Sequence, residues 1–261
     1  MPLSRAIVRP PGPNFATGLT SARDGAPDFG LALQQHRAYC EALVRCGLEL
    51  TRLEPDARFP DGTFVEDTAI VTARGAILTR PGAPSRTGEI AGMREALAER
   101  FERVLTIEAP GTVDGGDICD ADGHFLIGVS ARTNLQGATQ LRAHLEALGF
   151  TASLLDIRGS ASLLHLKTGV AFLGDGIWVV AAAVDHELDA LGFEGLDRAV
   201  KVSPAEAYAA NCVRVNDHVF VPDGYPGLSA AITARGLKPL PLAMSEFKKM
   251  DGGLSCLSLR F

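Results

Sequence analysis

A thiol and an imidazole are the residues in this chain best suited to covalent chemistry. His165 stands in the apolar run Leu163-Leu164-His165-Leu166, followed by Lys167-Thr168-Gly169, and Cys256 follows Asp251-Gly252-Gly253-Leu254-Ser255 near the end of the chain. A thiol is a strong nucleophile once ionised, and an imidazole exchanges protons near neutral pH, so the two types suit nucleophilic catalysis with acid–base help. Taken singly, each is better read as structural: a satisfied core histidine and a buried strand cysteine. The setting of Cys256 favours chemistry, because a glycine-containing turn feeding the last strand can hold the thiol at a strand mouth.

Acids and arginines complete the candidate set. Phe59-Pro60-Asp61-Gly62-Thr63-Phe64-Val65-Glu66-Asp67 holds three carboxylates, two of them adjacent within an apolar stretch. If that stretch is a strand, Glu66 and Asp67 point to opposite faces, and at least one must face a polar cavity or a partner. Gly111-Thr112-Val113-Asp114-Gly115-Gly116-Asp117 again sets acids beside glycines, which permit close backbone approach. Arg86 and Arg132 each lie after a predicted hairpin and before a predicted helix, in Ser85-Arg86-Thr87 and Ser130-Ala131-Arg132-Thr133. Equivalent positions in two repeats place two guanidinium groups at one end of a ring, where they could clamp a carboxylate bidentately.

The elements that must position these groups repeat along the chain. A first strand at 6–8 leads into a polar, glycine-containing segment from Asn14 to Pro27, long enough to be functional or mobile. A helix over 31–46 precedes a strand at 48–53. Then strand, hairpin and helix recur: hairpins over 63–71 with 76–79, 117–119 with 124–128, 169–173 with 177–180, and 212–215 with 218–221. Helices are predicted over 87–101, 133–148, near 185–191 and over 227–235, and a final strand over 256–261. The helices begin about 50 residues apart, the range of propellers and other repeat architectures. Five such units fill the chain as one α/β domain, and the ring closes most simply if the first strand joins a unit completed by the last, since closure removes exposed edges. A doubly wound sheet, the competing fold, predicts single strands alternating with helices rather than hairpins before them.

Composition bounds the function. The 261 residues, 46% hydrophobic and 21% charged, suit a globular protein with a substantial core. A formal net charge of −6 argues against a nucleic-acid partner, for which a basic face is expected. No apolar run reaches the roughly 18 residues of a membrane span, and the N-terminus is too short for a signal peptide, so a cytoplasmic protein is expected, with no membrane partner. The five cysteines at 40, 46, 119, 212 and 256 show no CxxC pair and no zinc spacing, and read as reduced. No metal or cofactor is implied.

Phe-Pro-Asp-x-x-Phe-Val-Glu-Asp at 59–67, Gly-Asp at 116–117 followed by Ser-Ala-Arg-Thr-Asn at 130–134, Leu-His-Leu-Lys-Thr-Gly at 164–169, Ala-Ala-Asn-Cys at 209–212 and the sequence from Asp251 to Phe261 together resemble the dimethylarginine dimethylaminohydrolases, members of the pentein superfamily of guanidino-group-modifying proteins. The resemblance runs from Leu19 to the C-terminus and implies a five-bladed pseudo-symmetric α/β propeller. It implies hydrolysis of Nω-methylated arginine to citrulline, with release of methylamine or dimethylamine, and a small cationic amino acid as partner; a homodimer stays open. By matching position, Cys256 is the implied nucleophile, His165 the general acid and base, and Asp114 the carboxylate that orients His165. The resemblance also implies Glu66 and Asp67 at the guanidinium end of the substrate, Asp61 and the Leu19 carbonyl near its α-amino group, and Arg86 with Arg132 on its carboxylate. The 14–27 segment becomes a candidate lid.

Two departures bear on this set. Close bacterial relatives often carry Glu where this chain has Asp114, one methylene shorter, and Gly62-Thr63 replaces the more usual Ser-Val. Lys167 separates relatives: arginine deiminases, agmatine deiminases and amidinotransferases typically hold an acid two residues after the histidine, gripping an unsubstituted guanidine nitrogen. Its absence fits a methylated nitrogen, which offers fewer hydrogen bonds. The competing readings are a hydrolase or deiminase of another guanidino or ureido compound, such as arginine, and a non-enzymatic ribosome-binding pentein, which lacks the Cys–His–acid set.

Overall fold

A computed structural model describes residues 2–160, 163–184, 188–189 and 198–261. Its described strands form five three-stranded sheets, each built on one plan. The first strand pairs antiparallel with the second, and the second pairs parallel with a third reached through a crossover. The strands β3 (Ala69–Thr72), β4 (Gly75–Leu78) and β5 (Val104–Thr106) make one blade; β6 (Ile118–Ala121), β7 (His124–Val129) and β8 (Thr151–Asp156) the next. The others are β9 (Val170–Phe172), β10 (Trp178–Ala181) and β11 (Val200–Val202), then β12 (Val213–Val215), β13 (His218–Pro222) and β14 (Lys238–Leu242). The fifth blade joins the chain ends. The C-terminal strand β15 (Leu259–Arg260) runs antiparallel to β1 (Arg5–Val8), in the register Ile7 opposite Leu259, and β1 pairs parallel with β2 (Glu49–Arg52). The architecture is the five-bladed α/β propeller expected from the repeats.

Among the described residues four helices supply crossovers: α1 (Phe29–Arg45), α2 (Ile90–Ala98), α3 (Leu135–Ala147) and, after the short α4 (Leu166–Gly169), α5 (Pro226–Ala234). Local chemistry sets their ends. Asp28 caps α1 by accepting from the Leu31 amide at 2.7 Å, and Gly47 follows the helix at φ 93°, a conformation that costs a residue without Cβ little. The predicted turn Asp122-Gly123 has φ of 53° and 90°, matching the right-handed twist of its hairpin. The helix expected near 185–191 lies largely outside the described residues. Among the described residues no helix is long and apolar enough to cross a membrane.

Apolar clusters fill the spaces between and behind the blades, and fully buried Tyr39, Phe15, Phe125 and Phe220 are among their largest members. Each such side chain contributes about 1.5–3 kcal/mol by leaving water. Phe15 packs on Phe247 with ring centroids 5.5 Å apart and on Phe64 at 6.0 Å. These contacts anchor the start of the 14–27 segment beside the blade entrances.

The sequence reading errs at the blade entrances. Residues 65–68, 115–117 and 255–257, expected at the beginnings of strands, instead form short helical turns: Val65–Thr68 before β3, Gly115–Asp117 before β6 and Ser255–Leu257 before β15. The equivalent turns in the remaining blades are α4 before β9 and Pro204–Ala210 before β12. Neighbouring turns touch around the ring. A Cβ on Gly115 would collide with the carbonyl of Glu66, so the turns approach too closely for extended chains bearing side chains. The alternating-strand argument for Glu66 and Asp67 therefore does not apply; both residues project from a turn.

Candidate active site

Each candidate residue sits on or beside one of these five turns, or on a loop packed against them. Asp67 accepts from the Gly116 amide at 2.8 Å through one oxygen and from Arg86 Nη1 at 2.6 Å through the other. Burial pushes its pKa up, but the charges of Arg86 and His165 and these hydrogen bonds outweigh that and hold it at about 2. Its neighbour Glu66 pairs with Lys167 Nζ at 2.6 Å and accepts from Ser255 Oγ at 2.7 Å. Lys167 is therefore the counter-charge of Glu66.

His165 Nε2 lies 3.0 Å from Asp114 Oδ2, so the shorter acid reaches the imidazole. Asp114 is fully buried, and its other oxygen accepts from the Gly82 amide at 2.7 Å. Glycine at 116 leaves room for the ring: a Cβ there would lie 2.8 Å from His165 Cγ and Nδ1. Burial disfavours the imidazolium, yet Asp67, the Asp114 hydrogen bond and Asp117 together raise His165 to about 9. Cys256 goes the other way. Burial and the charges of Glu66 and Asp67 push its thiol up to about 12, against the opposing Gly253 amide, 3.4 Å from Sγ, and Lys167. The substrate-free site at neutral pH is thus thiol and imidazolium, with two nearby carboxylates opposing thiolate formation.

A cavity of about 240 Å³ is lined by Leu19, Asp61, Asp67, Arg86, Arg132, His165 and Cys256 among others. A second, about 490 Å³, shares His165 and Cys256 and extends past Glu66, Leu163, Lys167, Tyr208 and Asn211. The structure thus brings the sequence-predicted residues together around two adjoining spaces, except Asp114, which lines neither and sits buried against His165. The arginines differ. Arg86 is buried, its Nε and Nη2 on Glu89 at 2.8–3.2 Å, its Nη1 on Asp67, and its Nη2 also on the Phe64 carbonyl at 3.2 Å. Most of its fork is already occupied. Arg132, with 21% of its side chain exposed and 3.7 Å from Asp114, is the more open cation of the two. Both arginines line the smaller cavity, Arg132 with the more open guanidinium and Arg86 with much of its fork already bound. Leu19 donates its amide to Asp61 at 3.0 Å. Beyond it Thr20 Oγ1 donates to the Lys249 carbonyl at 2.8 Å, and the Ser21 hydroxyl to Asp251 at 3.0 Å. The segment expected from sequence as a lid is hydrogen-bonded to the loop leading into Cys256 and lines the smaller cavity.

Asp67, Asp114 and His165 also present ligand atoms within 4.8 Å of one another, a metal-compatible cluster. Their atoms are already matched to donors: Arg86 and Gly116 on Asp67, Gly82 and His165 on Asp114. The donor set describes an imidazolium held between carboxylates.

Sequence reasoning left out two residues that hold the site together. Glu89 fixes Arg86. Asn211 accepts from the Ser255 amide at 3.0 Å and donates to the Lys167 carbonyl at 3.0 Å, linking the turn of Cys256 to that of His165. The Ala-Ala-Asn-Cys motif was the available signal for Asn211.

Known proteins resemble this chain along its whole length. The family model for arginine deiminase matches residues 58–220. The dimethylarginine dimethylaminohydrolase of Pseudomonas aeruginosa is 43% identical over 98% of each chain, and that of Streptomyces coelicolor is 35% identical over 100% of this chain and 98% of the relative. A solved structure of the Pseudomonas enzyme, a cysteine-to-serine mutant complexed with citrulline, superposes with a TM-score of 0.93 at 41% identity, covering both chains completely.

Proposed function

Because the chain belongs to the dimethylarginine dimethylaminohydrolase family, we propose that it hydrolyses Nω-methylated L-arginine to L-citrulline and methylamine or dimethylamine. The observation that carries the proposal for this chain is the cavity in which Cys256 and His165 share walls with Asp61, Asp67 and Arg132. Such a space offers acids to an α-amino group and a guanidinium, a cation to a carboxylate, and a nucleophile to the carbon between. The reading includes one catalytic domain and a cytoplasmic setting, which the five free cysteines support.

The reaction follows from the charges. A bound guanidinium offsets Glu66 and Asp67, the two acids that raise the Cys256 thiol, so the cation itself promotes loss of the thiol proton to solvent water and leaves the thiolate that attacks it. Sulfur bonds to the guanidinium carbon; the tetrahedral adduct collapses as His165 gives its proton to the departing alkylamine. Water then adds to the thiouronium carbon, losing a proton to His165, and the C–S bond breaks to return Cys256 and release citrulline. Asp114 keeps the imidazole proton on Nε2 and orients the ring.

In a citrulline-forming assay, asymmetric dimethylarginine is expected to be turned over with kcat/KM at least ~10-fold above that for arginine, in line with the scale on which a single substituent is discriminated. A preference for arginine would redirect the assignment to deimination. The state of the thiol is tested separately: in the substrate-free protein, alkylation of Cys256 by iodoacetamide is expected to be slow at neutral pH and to rise without a plateau until the solution approaches pH 12. A plateau beginning near pH 8 would mean that the resting site already holds a thiolate, and the cation-promoted step would be abandoned.

A further inference from the structure

We infer that Asp117 is a positioning residue that holds both members of the His165–Asp114 pair, acting from behind the site through Thr133 and the Leu166 amide. Asp117 is fully buried and lines neither of the two cavities that contain Cys256. Its Oδ1 accepts from the backbone amide of Leu166, the residue after His165, at 3.0 Å. Its Oδ2 accepts from Ser130 Oγ and from Thr133 Oγ1, each at 2.6 Å. Thr133 Oγ1 in turn accepts from the Asp114 amide at 3.0 Å. One carboxylate thereby fixes the backbone on the imidazole side and, through one hydroxyl, the backbone on the orienting-acid side.

The third branch reaches Arg132. Ser130 Oγ accepts from the amides of Arg132, at 2.9 Å, and Thr133, at 3.0 Å, which shapes the loop carrying that arginine toward the cavity. With its proton committed to Asp117, Ser130 Oγ has its lone pairs free for these two amides; Thr133 Oγ1 is arranged in the same way. The carboxylate therefore sets the direction of every hydroxyl in the network. An amide at 117 would set a donor either against the Leu166 N–H or against the two hydroxyls, which would then have to reverse. Charge adds to geometry: His165 faces Asp67 from one turn, Asp114 and Asp117 from another, and Lys167 and Cys256 line the cavity beside it. Removing the Asp117 charge lowers the pH at which the imidazolium is lost.

This inference rests on the proposed hydrolysis, so the test carries readouts that need no turnover. Asp117→Asn, Thr133→Val and Thr133→Ser are compared with the parent chain by steady-state kinetics on asymmetric dimethylarginine, by the NMR titration of His165, and by the downfield Nε2–H resonance that reports its bond to Asp114. Asp117→Asn is expected to lower kcat ~10–100-fold with KM changed less than ~3-fold, the scale of a supporting-group loss or a small misplacement, and to move the His165 titration downward. Thr133→Val is expected to lower kcat about 10-fold and shift the Nε2–H resonance, whereas Thr133→Ser, which keeps the hydroxyl, restores both. Unchanged kinetics and titration in Asp117→Asn overturn the inference. If that variant does not fold, Thr133→Val decides alone, and parent-like kcat and resonance in it overturn the inference too. A parent chain that fails to hydrolyse the substrate refutes the proposed function, while the His165 titration and resonance still decide the role of Asp117.

Discussion

Replacing Cys256 with serine is expected to reduce citrulline formation by about 10⁴-fold or more while leaving substrate binding within a few-fold of the parent. The site explains why the loss should be so large. A thiol pushed up to about 12 by burial and by Glu66 and Asp67 is still close enough to ionisation for an arriving cation to tip it. A hydroxyl in the same surroundings starts several pKa units higher and faces the same two carboxylates, while His165, already an imidazolium, does not take its proton. Binding should survive because Asp61, Asp67 and Arg132 are untouched. Mass spectrometry during turnover provides the second arm: the parent chain should carry a substrate-derived adduct on Cys256 and the variant none. Turnover by the serine variant at the parent rate would remove Cys256 from the mechanism.

Asp114→Asn is expected to cost ~10³–10⁴-fold in kcat, for a reason specific to the two oxygens of this acid. One accepts from the Gly82 amide at 2.7 Å and the other from His165 Nε2 at 3.0 Å. Asparagine retains a single acceptor, which the Gly82 amide claims, and turns its NH₂ toward Nε2. Nε2 must then accept, the ring proton moves to Nδ1, and the imidazole presents the wrong tautomer to the reaction. The pH profile should change with it. In the parent chain His165 stays protonated up to about 9, so amine expulsion fails as pH rises through that value, and in the variant it should fail at lower pH. The same raised value links to stability. The charged imidazole stabilises the fold fully below its ordinary value of 6.5, and that contribution disappears as pH climbs through about 9. A variant with parent-like kcat and an unmoved basic limb would leave Asp114 without an orienting role.

Much of this was written in local sequence. The hairpin turns at 74–75, 122–123 and 216–217 and the helix ends at Gly47 and Gly149 depend on residues a few positions away, so their signals survive without tertiary context. The repeat of strand, hairpin and helix fixed the number of blades, and the pairing of β1 with β15 followed because an open ring would leave two edges. The residue types that do chemistry were also legible: Cys256, His165, Asp114 and the acids of 61–67 stood out by motif before any of them could be shown to meet.

What sequence could not determine was how the turns face one another. Residues 65–68, 115–117 and 255–257 carry strand-like composition, yet fold as helical turns because they converge where extended chains would collide, as the close approach of Gly115 to Glu66 shows. Convergence brings acids and bases from blades 50 to 190 residues apart within hydrogen-bonding reach, and only then do pairings appear. Lys167 becomes the counter-charge of Glu66, Arg86 is absorbed by Glu89 and Asp67, and Arg132 is left as the open cation. The pKa values follow the same logic. His165 and Cys256 are pushed apart by burial and by carboxylates from other blades, so the resting protonation state, unlike the list of residues, is a property of the assembled ring.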